Sequence, residues 1–172
     1  KEKKKLIGCV YSDLQTKGRG TKGKEWISHK GNLFTSLFFP LKEKYPPFNE
    51  FSIINPIIIA DVIKKFCNEK SITLKYPNDV FLNGKKICGL LQELIVMKDR
   101  KFLIIGIGLN IVSNPDIKKE YQATNILSET KKAPEIKEII ELIILSYQKF
   151  FMELKSYNFL KFRKKAELMS LN

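Results

Sequence analysis

The chain has 172 residues, 44% of them hydrophobic, and 31 Lys or Arg against 18 Asp or Glu for a net charge of +13. That length buries one sizeable core and leaves too little for a second, so a single domain over 1–172 is expected. The longest apolar run, Phe102 to Val112, is broken by Gly106, Gly108 and Asn110 and falls short of the roughly 20 residues of a membrane-spanning helix, which excludes one.

In chain order, the opening charge run KEKKK has no apolar segment behind it, so no secretory signal is read and the cytoplasm is the expected location. Leu6 to Ser12 reads as a buried strand, and Asn32 to Phe39, rich in β-formers and ended by Pro40, as another. Between them TKGRGTKGKEWISHKG has neither period and makes a long, basic, glycine-punctuated loop, a kind that tends to be functional. Beyond a second loop at Tyr45-Pro46-Pro47, the segment Phe51 to Cys67 carries Ile57, Ile58, Ala60, Val62, Ile63 and Phe66 as a largely buried helix. Pro56 is expected in its first turn, with Lys64 and Lys65 at the end where the helix dipole favours cations. Thr73 to Tyr76 and Val80 to Leu82 are short strands on either side of Pro77-Asn78-Asp79. Asn83-Gly84 is the strongest hairpin signal, because a type I′ turn needs positive φ at both centres. Ile87 to Val96 and Lys101 to Val112 are further strands joined by Lys98-Asp99-Arg100. From Pro134 onward Ile136, Ile139, Ile140, Ile143, Ile144, Tyr147, Phe150 and Phe151 repeat at helical spacing as an amphipathic helix, and a last helical piece runs from Phe159 to Leu168. The class is α+β, a mixed β-sheet flanked by helices.

Cys9, Cys67 and Cys88 lie far apart and form neither a C-x-x-C pair nor a zinc-like cluster with the single His29, so reduced thiols and no metal site are expected. The lysines are spread along the whole chain, which favours a solvated basic surface over a footprint for nucleic acid; attraction to an acidic partner or to phosphate fits the same charge. Three loops can carry chemistry. Gly18, Arg19, Gly20, Thr21, Lys22, Gly23, Lys24 and Trp26 combine backbone N–H groups with cations as a phosphate or carboxylate site does, although a solvated basic turn has the same composition. Asp79 and Lys86 flank the hairpin and can face one pocket with Gly89 beside them, or can make an ordinary surface ion pair. Gly106-Ile107-Gly108-Leu109-Asn110 lacks the third glycine and the helix of a dinucleotide fingerprint, and reads as a strand thinned for packing or ligand access.

Four strings in this order, QTKGRGTKGKEW at Gln15 to Trp26, GNLFTSLFF at Gly31 to Phe39, KYPNDVFLNGKKICGLLQEL at Lys75 to Leu94 and IGIGLNI at Ile105 to Ile111, resemble the biotin protein ligases, also called biotin–acetyl-CoA-carboxylase ligases. The tail from Ala123-Thr124-Asn125-Ile126-Leu127 is similar more loosely. The resemblance implies a class II synthetase-like, biotin–lipoate ligase catalytic domain. It also implies activation of biotin by ATP with Mg2+ to biotinyl-5′-AMP, and transfer to a lysine of a biotin carboxyl carrier protein. By the same resemblance Gln15, Arg19, Gly20 and Thr21 fall on the family's biotin and adenylate loop and Lys86 on its essential lysine, while Asn78 and Asp79 occupy its Pro-Asn-Asp motif. The implied catalytic set is Lys86, Arg19 and Asp79. The binding set adds Gln15, Gly18, Gly20, Thr21, Lys22, Trp26, Asn78, Gly89, Gly106, Gly108 and Asn110. Pairing into a homodimer is common in such proteins, and no DNA-binding domain or membrane partner is expected.

Departures from the family pattern stand beside the matches. Thr21 replaces an arginine that retains the adenylate, so Lys22 takes its place or the intermediate leaks. The sequence begins at Lys1 without a Ser-Thr-Asn segment that contributes to the biotin pocket, and ends at Asn172 before a small β-barrel; a chain lacking both is the expectation. A lipoate or octanoate ligase shares the fold, but its serine-and-triple-glycine pattern is missing here, and Lys75-Tyr76-Pro77-Asn78-Asp79 favours biotin. The rival from another class is a basic nucleic-acid-binding module.

Overall fold

The structure, a computed structural model, describes residues 7–67, 72–116 and 121–170. Its strands are β1 (Gly8–Ser12), β2 (Leu33–Pro40), β3 (Ile72–Lys75), β4 (Asp79–Leu82), β5 (Lys85–Met97) and β6 (Arg100–Leu109). Its helices are α1 (Phe51–Ile63), α2 (Ile126–Thr130), α3 (Ile136–Met152) and α4 (Phe159–Leu168). The strands form one sheet in the order β1-β2-β6-β5-β4-β3, with each neighbouring pair antiparallel. Among the described residues, parallel pairing is confined to the isolated bridges Leu74–Ser170 and Lys86–Ala123. The α+β reading holds.

Side-chain alternation gives the sheet two different faces. One carries Leu37 and Phe39 of β2, Leu103, Ile105 and Ile107 of β6, and Cys88 and Leu90 of β5, all buried. Helices α1 and α3 cover it. Phe39 packs against Phe51 of α1 and against Tyr147 and Phe151 of α3 at ring centroid distances of 6.0, 6.3 and 4.8 Å. Helix α1 is apolar on nearly every side, as suits a helix enclosed by the sheet and its neighbours. Its buried Asn55 is satisfied twice, donating to Gln92 of the sheet at 2.9 Å and accepting from the Tyr147 hydroxyl at 2.9 Å. On the opposite face Ser36, Gly89, Gly106 and Gly108 meet at the centre of the sheet.

Several boundaries differ from the sequence reading. Pro56 lies in the second turn of α1, because the 3-10 turn Phe48–Glu50 runs straight into the helix; its missing N–H leaves the Ser52 carbonyl without a helical partner. The helix ends at Ile63, with Cys67 beyond it. Strand β3 begins one residue earlier than expected and stops before Tyr76, and β5 runs from Lys85 to Met97, longer than periodicity suggested. Leu6 lies outside the described residues. The β5–β6 turn has two central residues rather than three, Lys98 and Asp99, both at positive φ (46° and 60°). Asn83 and Gly84 take positive φ as expected for their turn (51° and 72°). Helix α2 is too short to leave a periodic signal, being one turn long and capped by its own Asn125, whose side chain accepts from Ser128 N.

Candidate active site

The site grows from the open face of the sheet. Register places Ser36 beside Gly106 and Phe34 beside Gly108, with Gly89 and Leu91 on the other side and Asp79 next to Gly89. Three glycines thus sit together in the middle of the sheet and leave a shallow floor. Lys86 reaches this face through an irregularity. Asp79 opposes Gly89 and Val80 opposes Cys88, but Phe81 then opposes Lys86, so Ile87 is an extra residue in β5. Strict alternation would put Lys86 with Cys88 and Leu90 on the core side. The bulge re-aims it to the side of Asp79, a common use of bulges beside sites.

The loop from Gln15 to Trp26 closes over this floor as a flap. Gly20 N donates to Lys24 O at 2.7 Å and Trp26 N to Gly18 O at 3.0 Å, drawing Arg19 opposite Glu25 around a 3-10 turn at Thr21–Gly23. Gly18 is needed because a Cβ there would lie 2.3 Å from the Trp26 carbonyl oxygen. Arg19 straps the flap to β5, donating from Nη1 and Nη2 to the two carboxylate oxygens of Glu93 at 3.1 and 2.9 Å. Trp26 lies flat on the floor. A Cβ added at Gly89 would meet its ring at 2.5 Å and one at Gly108 at 2.4 Å, so its seat exists only because both residues lack side chains. Its buried Nε1 finds no acceptor among the described residues.

Lys86 stands where floor and flap meet. Its ammonium pairs with Asp79 at 2.7 Å, donates to the Tyr121 hydroxyl at 3.3 Å and lies 5.5 Å from the Trp26 ring centroid. Both partners of the ion pair are largely withdrawn from water, with side-chain exposures of 13% and 21%. Directly beneath, burial pushes the Cys88 thiol far above the usual range, with Lys86 pulling it down and Asp79 adding to the rise. Cys88 is therefore a packed neutral thiol and no nucleophile. The cleft enclosed by these groups measures about 150 Å³ and is lined by Gln15, Arg19, Trp26, Asp79, Lys86 and the floor glycines, among others. A second, smaller cavity lies behind the flap, between Gly20, Thr21, Trp26, Asn110 and Tyr121.

A basic flap, a lysine turned by a bulge and a glycine floor facing one cleft are an arrangement for an anionic ligand, and the comparisons bear on which kind. A profile of the biotin/lipoate A/B protein ligase family matches residues 2–110. The chain belongs to this family. The bifunctional ligase/repressor BirA of Escherichia coli is 33% identical over 105 residues, covering 60% of this chain and 32% of that protein. The biotin–[acetyl-CoA-carboxylase] ligase of Paracoccus denitrificans is 28% identical over 160 residues, 90% of this chain and 67% of that protein. Among solved structures, the Aquifex aeolicus biotin protein ligase in complex with biotin and ATP matches with a TM-score of 0.78 at 29% identity, over 95% of this chain and 68% of that one. The chain spans only about a third to a half of the BirA proteins of E. coli (32%) and Bacillus subtilis (47%).

Of the residues that family resemblance singled out, Gln15, Arg19, Gly20, Thr21, Trp26, Asp79, Lys86, Gly89, Gly106 and Gly108 line the main cleft together. Asn110 faces the smaller cavity, and its side chain donates to Thr124 O at 3.0 Å. Gly18 serves the flap's own backbone. Lys22 is exposed at the flap tip in a left-handed conformation (φ 55°), outside the lining of both cavities. Asn78 turns its amide to Leu90 O at 2.8 Å and ties β4 to β5. Sequence reasoning missed Glu93 and Tyr121. Glu93 was accessible to it, since Gly89, Leu91 and Glu93 alternate onto one face. Tyr121 was not, because only the folded chain brings residues 121–124 beside Lys86.

Proposed function

We propose that the chain is the catalytic core of a biotin protein ligase, which activates biotin with MgATP and transfers it to a lysine of a biotin carboxyl carrier protein. The observation that carries this reading is the convergence of the Arg19 flap and the bulge-turned Lys86 on one cleft above a floor of glycines. In the first step a biotin carboxylate oxygen attacks the α-phosphorus of ATP and pyrophosphate leaves, giving biotinyl-5′-AMP. Two anions about 4 Å apart repel by about 4 kcal/mol at an effective dielectric of about 20, and a fixed ammonium between them offsets that cost. The reading gives that role to Lys86. In the second step the carrier amine attacks the anhydride carbonyl and AMP departs with the bonding electrons; the amine proton goes to a base. Asp79, released when Lys86 turns to the ligand, supplies that base within reach of the same cleft.

Two features of the site fit the proposal. The 150 Å³ cleft is smaller than the roughly 300–1,000 Å³ of small-molecule sites, and the Trp26 ring occupies the missing space. Ligand entry then lifts Trp26 off Gly89 and Gly108, and the flap closes over the ligand to keep water from the anhydride. Asp79 and Glu93 are each engaged by a cation, and no group of three His, Cys, Asp or Glu able to hold a metal occurs among the described residues. In the proposal Mg2+ accompanies the ATP phosphates, whose charge it partly neutralises.

Among the described residues no helix is long and apolar enough to cross a membrane. A cytoplasmic location and a homodimer are parts of the proposal. The outer strand β1, with Val10 and Tyr11 exposed, supports sheet-edge pairing. Incubation of the protein with ATP and either biotin or lipoate tests the ligand assignment. Pyrophosphate release is expected with biotin, and release with lipoate alone overturns it.

A further inference from the structure

Four contacts surround the Lys86 ammonium. Asp79 Oδ1 lies at 2.7 Å, the Tyr121 hydroxyl at 3.3 Å, and the rings of Tyr121 and Trp26 have centroids at 4.9 and 5.5 Å. On the ligase reading two of these partners are temporary, since Trp26 leaves the floor when ligand enters and Asp79 gives up the ammonium to the ligand carboxylate. Tyr121 is held in place by backbone and by packing. Lys86 N donates to Gln122 O at 2.8 Å, Thr124 N donates to Lys86 O at 2.9 Å, and Ala123 bridges Lys86 in parallel. The Tyr121 ring meets the buried Phe81 edge-on, with centroids 6.0 Å apart at 77°. A second ammonium, Lys75, lies 6.0 Å from the same ring, near the outer limit of a cation–π contact.

We infer that Tyr121 is a positioning residue for the proposed adenylation: its ring and hydroxyl hold the Lys86 ammonium at the cleft mouth while biotin carboxylate takes the place of Trp26 and competes with Asp79. A lysine side chain has four rotatable bonds and loses much rotamer freedom when fixed, so an anchored aromatic face on one side lowers the cost of holding it in line. The bulge brings Lys86 to the open face; Tyr121 then limits where on that face the ammonium dwells.

The inference rests on the ligase reading, and two measurements separate the fates of the two. The first is biotin-dependent pyrophosphate release by wild type, Tyr121→Phe and Tyr121→Leu. Leu is expected to lower kcat about tenfold with KM for ATP within about twofold, and Phe, which keeps the ring, to stay within about threefold of wild type. A rise in KM for ATP with kcat unchanged overturns the inference, because Tyr121 would then be a nucleotide contact. The second is a double-mutant cycle on the unfolding equilibrium of the ligand-free protein with Lys86→Met, Tyr121→Leu and both together. The double variant is expected to lose about fivefold less than the product of the two single losses, and strictly multiplicative losses overturn the pairing. If Tyr121→Leu fails to fold, Tyr121→Met carries both measurements. A wild type that ignores biotin while the cycle shows coupling overturns the ligase reading and upholds the pairing.

Discussion

Gly108→Ala tests the seat of Trp26. The new methyl would lie 2.4 Å from Cε2, 2.5 Å from Cζ2 and 2.7 Å from Nε1 of the ring, against about 3.5 Å for a comfortable carbon contact, so the indole has to rise by about 1 Å. A radial gap of that size forfeits up to about half of each remaining dispersion contact, Gly89 included. The flap is also tied to β5 by an ion pair. Its Arg19–Glu93 strap is solvent-exposed, with side chains 70% and 37% accessible, and such pairs contribute about 0–1 kcal/mol. Overpacking of this kind costs about 1–3 kcal/mol, and 1.4 kcal/mol shifts the flap's open population about tenfold. The sheet itself should not suffer. Gly108 has no positive φ, and Ala at such a position offsets part of the cost by about 0.4–1 kcal/mol through the unfolded chain. The expected signature is therefore a nearly unchanged melting temperature by circular dichroism together with a red-shifted, more readily quenched emission from the chain's single tryptophan. KM for biotin should fall in the pyrophosphate-release assay, because the ligand no longer has to lift a fully seated ring. Unchanged emission, quenching and KM would refute the seating of Trp26 on this glycine.

Other outcomes follow from the same geometry. Lys86→Ala should abolish biotin-dependent pyrophosphate release and cost about 1–3 kcal/mol by leaving the half-buried Asp79 carboxylate without its cation; normal turnover in that variant removes Lys86 from the mechanism. Glu93→Ala should change unfolding free energy by less than about 1 kcal/mol yet speed tryptic cleavage at Lys17, Lys22 or Lys24, because it frees the flap locally; unchanged cleavage shows the strap holds nothing. Glu129 is held below the usual carboxylate range, chiefly by the Thr124 hydroxyl it accepts from, against the opposing effect of burial and with further lowering from Asn83, Lys85 and Lys131. Its folded pKa lies below the unfolded value of 4.5, so its contribution is full above that value and is lost as pH falls through the folded pKa. Glu129→Gln should flatten the acid limb of a stability–pH curve, and an unaltered limb contradicts the assignment. Burial raises the Cys67 thiol to about 11 and Cys88 further, so alkylation at pH 8 should modify Cys9 and leave the other two; rapid labelling of Cys88 would mean the sheet opens there.

Much of the framework was legible because it depends on local chemistry. The Asn83-Gly84 turn, the 3.6-residue repeat of Ile139, Ile143 and Tyr147 on α3 and the apolar run of α1 each follow from conformational preference or from burial of one face. The same holds for the cationic glycine flap, whose residues are contiguous. Boundaries were read less well where tertiary contacts extend an element past its own pattern, as in β5, whose exposed end Leu94–Met97 is kept extended by pairing with β6.

Sequence by itself determined which groups are available: a basic flap, an acid and a lysine on either side of a tight hairpin, and glycines thinning two strands. Which of them meet was decided only in three dimensions. Counting residues sends Lys86 and Gly89 to opposite faces of β5, and only the extra residue at Ile87, a consequence of how β4 and β5 pair, brings them to one. The seat of Trp26 on Gly89 and Gly108, the strap from Arg19 to Glu93 and the approach of Tyr121 to Lys86 join residues 35 to 82 positions apart. Such contacts have no local signal, because they are set by strand order and register, and those are chosen by the burial of the other face of the sheet.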